Sequence, residues 1–280
     1  MAAQQWTGPA RPGSDAQGSQ RLRLGLFVLA LCALGAKHVT PHFVVTASSP
    51  EAAREVAETA ERCRRELAVE WTGRELPAWQ TACRITVADG ADAATSGWTT
   101  YSVYRGEMFD CVMIVRGPLD RILDTVLPHE ISHTVLVTYL GRLVPRWADE
   151  GVALMCETET EQLRQRLLAA QLAKSERSVP LRALLTQAEY PRDKGRMRAF
   201  YARGFSLTEF LVGQGGKARY LEFLAAGDGR GWDWAVRHYY GDRDVEALEA
   251  RWTSWALSDA RNRRPPQNLV AADSPHAAQE

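Results

Sequence analysis

The chain has 280 residues, 45% of them apolar and 24% charged, enough to bury a sizeable core in one or two domains. Lysine plus arginine equals aspartate plus glutamate at 34 each, so nothing in the charge argues for nucleic acid or an anionic membrane surface as a partner. No internal repeat is evident, and low complexity is confined to the two ends.

Residues 1–20 are rich in Ala, Gln, Gly, Pro and Ser without apolar periodicity and read as a disordered leader. Arg21 and Arg23 then precede Leu24 to Ala36, LGLFVLALCALGA, which carries no charge. That run is shorter than the roughly 20 residues a bilayer span needs and matches the 7–15 or so of a secretory h-region. Residues 21–36 are therefore expected to be a signal peptide cut after Gly35 or Ala36, or an uncleaved N-terminal membrane tether. A buried core helix is the plainer alternative. Bulky Leu31 beside Cys32 argues against a lipoprotein box. The expected location is outside the cytoplasm: secreted, periplasmic or anchored.

An α/β subdomain is expected over 37–117. His42 to Ala47 reads as a short buried strand. Ser49 suits an N-cap with Pro50 in the first turn, and Val56, Ala60, Cys63 and Leu67 recur at helical spacing, which predicts a helix from Pro50 to Val69. Arg84 to Ala88 is a second strand, and Trp98–Tyr104 with Met108–Val115 form a hairpin about Arg105-Gly106.

Gly117-Pro118 opens the next helix, with Leu119, Ile122, Leu123 and Val126 facing inward. Pro128 cannot donate to the carbonyl of Asp124, so the helix either kinks there or restarts with Pro128 in its first turn. Directly after it stand His129, Glu130 and His133, in the pattern H-E-x-x-H. Positions i and i+4 of a helix share a face, so both imidazoles can reach one metal ion. Catalytic zinc takes three protein ligands and keeps a fourth position for water. Glu150 is the third-ligand candidate: sixteen residues separate it from His133, across a turn marked by Gly141 and Pro145. Glu130, rotated about 100° from His129, points beside the metal and suits the base that takes a proton from water. Thr134 to Leu140 supply neither the Gly nor the His of a metzincin run.

HEISH followed by PRWADEG resembles the gluzincin metallopeptidases, in particular peptidase-MA-like proteins with H-E-x-x-H and then P-x-W-x-x-E-G. Tyr201-Ala202-Arg203-Gly204 is similar to the Y-x-x-G segment of aminopeptidase-N-type gluzincins, where the tyrosine steadies the oxyanion. Taken loosely, the resemblance covers residues 118 to 258. It implies an α+β, zincin-like fold with a small mixed sheet, one Zn2+ per chain on His129, His133 and Glu150, catalysis by Glu130 and Tyr201, and a peptide or protein substrate. It also implies a sheet-edge strand over the zinc that pairs with extended substrate, a role given to 108–115. The G-x-M-E-N exopeptidase signature is absent; Gly106-Glu107-Met108 is not that motif. A zincin-fold binding or scaffold protein without turnover is the alternative, and hydrolysis of a non-peptide amide a third.

The rest of the zinc-binding and helical subdomain, expected over 118–260, is mainly helical. Gln162–Ser175 is amphipathic. Arg196–Val212 should stop at Gly213-Gln214-Gly215-Gly216, followed by Lys217–Ala226, Trp232–Tyr240 and Asp244–Ser258, then a loose tail over 261–280. Asp149 suits either an imidazole partner or a helix cap. His238 is either a second oxyanion donor or a surface histidine. With Cys32 removed, Cys63, Cys83, Cys111 and Cys156 allow three pairings that sequence does not choose between, and Cys63 and Cys156 also fit buried free thiols.

Overall fold

The computed structural model describes residues 35–90, 94–173 and 179–262. The 1–20 leader, nearly all of the 21–36 segment and residues 263–280 lie outside the described residues, as do the expectations placed on them. Among the described residues no helix is long and apolar enough to cross a membrane.

The chain is α+β. A five-stranded sheet precedes a mostly helical remainder, with strands β1 (Ala36–Val39), β2 (Phe43–Ala47), β3 (Cys83–Asp89), β4 (Ser96–Tyr104) and β5 (Glu107–Gly117). The spatial order is β1-β2-β3-β5-β4. β2, β3 and β5 run parallel, while β1 and β4 are antiparallel to their neighbours. Alternation puts Phe43, Val45, Ile85, Val87, Met113 and Val115 into one buried face. Helix α1 (Pro50–Thr72) packs on that sheet, capped as expected by Ser49, whose hydroxyl accepts from the Ala52 N–H at 3.1 Å.

The β4–β5 hairpin turns at Arg105 (φ 51°) and Gly106 (φ 83°), the two positive values that a tight two-residue turn needs. Asp110 (φ 51°) and Cys111 together oppose Tyr101, a bulge that shifts the inward phase from Met108 to Cys111. Cys83 and Cys111, side by side on β3 and β5, form the single disulfide among the described residues; Cys63 and Cys156 are free. The hairpin also corrects the edge assignment. One side of β5 is taken by parallel β3, so the segment 108–115 is interior and β4 is the edge. Strand β1 was not anticipated from the sequence.

After β5 come the single turn α2 (Leu119–Arg121), a π-helical turn (Ile122–Val126) and α3 (Leu127–Leu140). The Leu127 N–H bonds the Ile122 carbonyl, five residues back. The wider turn absorbs the donor that Pro128 lacks, so α3 restarts with the proline in its first turn. α3 ends at Gly141 (φ 64°), and α4 (Arg146–Met155) follows Pro145 and packs against α3.

The remaining helices are α5 (Glu159–Ala173), α6 (Leu181–Thr186), α7 (Lys194–Arg230), α8 (Trp232–Tyr240) and α9 (Val245–Asn262). The helix expected to stop at Gly213-Gln214-Gly215-Gly216 runs three residues into that cluster and breaks at its last member, so α7 is two helical segments joined at a kink. Its one non-helical residue is Gly216 (φ 78°, ψ 170°), after which Tyr220, Leu221, Phe223 and Leu224 re-enter the core. α7 crosses α4 backbone against backbone. A Cβ on Gly204 would lie 2.6 Å from the Trp147 carbonyl oxygen, and one on Gly151 would lie 2.2 Å from Thr208 Oγ1. Gly204→Ala is expected to destabilise the fold by about 1–3 kcal/mol through overpacking, read as a lower urea midpoint.

Candidate metal centre

Two helices converge beneath the sheet edge. α3 supplies His129 and His133 one turn apart, and their rings lie 5.2 Å apart, centre to centre. α4 supplies Glu150. One donor atom from each of these three residues lies within 4.8 Å of the other two, and His129 Nε2 is 3.6 Å from Glu150 Oε2. Ligands bonded to a tetrahedral ion at 2.0–2.2 Å stand about 3.4 Å apart, so small side-chain adjustments would close the group on a cation.

The donors are oriented from behind. His129 Nδ1 is 2.7 Å from Glu157 Oε1, and His133 Nδ1 is 2.9 Å from Asp149 Oδ1. Each ring is thus left with Nε2 for a metal, the arrangement usual for ligating histidines. Of the two readings for Asp149, imidazole partner holds. Glu150 Oε1 accepts from the Tyr190 hydroxyl.

The chemistry of this set fits a metal ion. Burial alone would push the His129 imidazole down, but its interactions with the accepting carboxylates of Glu150 and Glu157 outweigh that and hold it well above its usual range. Burial also opposes the charged form of His133, and the Asp149 charge and hydrogen bond raise it regardless. Glu150 is held below the usual carboxylate range: the His129 hydrogen bond and the His133 charge overcome its burial. Four buried carboxylates, Glu130, Asp149, Glu150 and Glu157, thus surround two imidazoles, a setting that favours positive charge.

Glu130 sits beside the ligand group. Its Oε2 accepts from Thr99 Oγ1 at 2.6 Å, and burial pushes its carboxyl up. The partner strand is β4, whose inward alternation aims Gly97, Thr99 and Tyr101 at the helix. A Cβ on Gly97 would meet Glu130 Oε1 at 2.3 Å.

Tyr201 lies three residues before the α4–α7 crossing. Its ring is 6.3 Å from that of Tyr190, and burial followed by the charges of Glu150 and Glu130 drives its hydroxyl well above the usual range. His238 is exposed and stacks on Trp234 at 4.5 Å, which gives it the surface role. His42, in the bend before β2, pairs with Glu61 at 2.8 Å. Burial raises the Cys63 thiol to about 11 and the Cys156 thiol to about 12, so neither is a nucleophile at neutral pH.

Sequence reasoning missed Glu157, Tyr190, Thr99 and Gly97. Only Glu157 stands close to the motif along the chain, seven residues after Glu150 in the bend just past α4. A scan against protein-family models and a search of curated proteins both found no match. The chain is thus defined by its own residues: an α+β protein with a buried His-His-Glu group that could hold a metal ion.

Proposed function

We propose that this chain is a zinc-dependent peptidase of gluzincin type, with a zincin-like fold, acting outside the cytoplasm on a peptide or protein substrate. The observation that carries the reading is the convergence of His129, His133 and Glu150, with the Glu130 carboxylate beside them. Two imidazoles and one carboxylate form a catalytic zinc set, and the apolar run after Arg23 supports export or an N-terminal tether. Bound there, zinc supplies Lewis acidity that makes water nucleophilic near neutral pH and polarises a carbonyl.

The chain's own residues do the rest. Thr99 holds Glu130 Oε2, so Oε1 takes the proton of the attacking water and delivers it to the nitrogen of the departing amine. Burial raises the proton affinity of Glu130 towards the range a base and acid must share. The Tyr201 hydroxyl donates to the oxyanion, and the free edge of β4 offers backbone hydrogen bonds to an extended substrate. Tyr201→Phe should lower turnover at least about tenfold with KM little changed; an unchanged rate would return Tyr201 to a packing role.

The test of this reading is cleavage of an unbiased peptide library by the zinc-loaded chain. Cuts that vanish with a chelator and return with zinc are expected. A metal-loaded chain that cuts nothing would favour an inactive zincin-fold binding protein instead.

A further inference from the structure

Tyr190 reaches the metal centre from a segment that supplies no ligand, the stretch 187–193 between α6 and α7. Its hydroxyl donates to Glu150 Oε1, while Oε2 of the same carboxylate is the oxygen 3.6 Å from His129 Nε2. The two oxygens therefore have different partners: one faces a phenol, the other faces the imidazoles. Tyr190 is itself held. Its ring packs edge-on to Phe200 at 5.9 Å, and the Arg146 guanidinium lies 4.8 Å from its centre. Arg146 Nε also donates to the Ala188 carbonyl at 3.5 Å, tying down the chain beside the tyrosine. Arg146 stands one turn before Glu150 on α4, so one helix carries both the carboxylate and the residue that seats its phenol.

We propose that Tyr190 is a positioning residue, seated by Arg146, that fixes Glu150 to offer a metal one oxygen only. The inference rests on the metal-centre reading above. A carboxylate held this way cannot swing to bind through both oxygens, which keeps one coordination position for water and substrate. Without the hydroxyl, a buried acceptor loses its donor and the carboxylate gains freedom to rotate.

The experiment compares the metal-stripped full chain with its Tyr190→Phe variant, which keeps the ring contacts and removes only the hydroxyl. Each is titrated with Zn2+ against a competing chelator and with Co2+ by visible absorption. The Zn2+ dissociation constant should rise about 10–100-fold, with shifted Co2+ bands that report altered coordination. Arg146→Lys, which keeps the charge but removes the flat stacking group, should show a smaller loss in the same direction. Equal Zn2+ affinity and superimposable Co2+ spectra in Tyr190→Phe overturn the assignment and leave the metal centre standing. If Tyr190→Phe does not fold, undiminished affinity in Arg146→Lys overturns it. If the parent chain binds neither ion, the metal-centre reading falls first and this inference falls with it.

Discussion

Replacing Glu130 with glutamine should lower peptide turnover by about 10²–10⁴-fold while the chain still takes up one zinc ion. Glutamine matches glutamate in size and can accept the Thr99 hydroxyl through its amide oxygen, so the bond now 2.6 Å long has a replacement. What the amide cannot do is hold a proton between water and leaving amine. The three metal donors are untouched, because Glu130 is not among them. Loss of activity with metal retained is therefore the expected pair of results, read by steady-state kinetics and metal analysis on the same preparation. A variant that turns over like the parent removes Glu130 from the mechanism.

Gly97→Ala should abolish the proposed peptidase activity from the sheet side. The added Cβ would stand 2.3 Å from Glu130 Oε1, and 2.7 Å from both Glu130 Cγ and Val126 Cγ1. Contacts that short cannot persist, and the flexible group among them is the carboxylate itself. Glu130 must swing aside, or the edge strand must lift away from the helix. A displacement of about 1 Å at reacting groups costs on the order of a hundredfold in rate. Turnover is expected to fall by at least that much, with zinc content near one per chain, because the three atoms nearest the added Cβ belong to Glu130 and Val126, not to His129, His133 or Glu150. Full activity in Gly97→Ala would mean that Glu130 works from a different rotamer.

The parts of this site that could be read from sequence are those whose partners are close along the chain. His129 and His133 are tied by one helical turn, and Ser49-Pro50 and Arg105-Gly106 mark a helix start and a hairpin turn by local conformational rules. Glu150 was placed across a turn by its W-A-D-E-G context, and the structure brings it to the imidazoles. The groups that orient these ligands were not legible. Thr99 meets Glu130 across 31 residues, and Tyr190 meets Glu150 across 40, distances over which no periodicity carries. The edge strand was misassigned for a related reason: hairpin signals reveal that β4 and β5 pair, yet only the parallel pairing of β3 with β5 decides which is outermost. The glycine cluster after Val212 did mark the interruption of α7, which falls on its last member, Gly216 (φ 78°), a conformation that costs a residue without a Cβ little. Only the exact position of the break was not legible, and the segment beyond it buries Tyr220 and Leu224.

The most direct measurement of the central claim is zinc content of the purified chain beside Glu150→Ala, both dialysed against trace chelator. The parent should retain about one zinc ion per chain, and the variant should retain little, since two imidazoles alone make a weak site. Zinc at trace level in the parent, or undiminished in Glu150→Ala, would contradict a centre built on His129, His133 and Glu150.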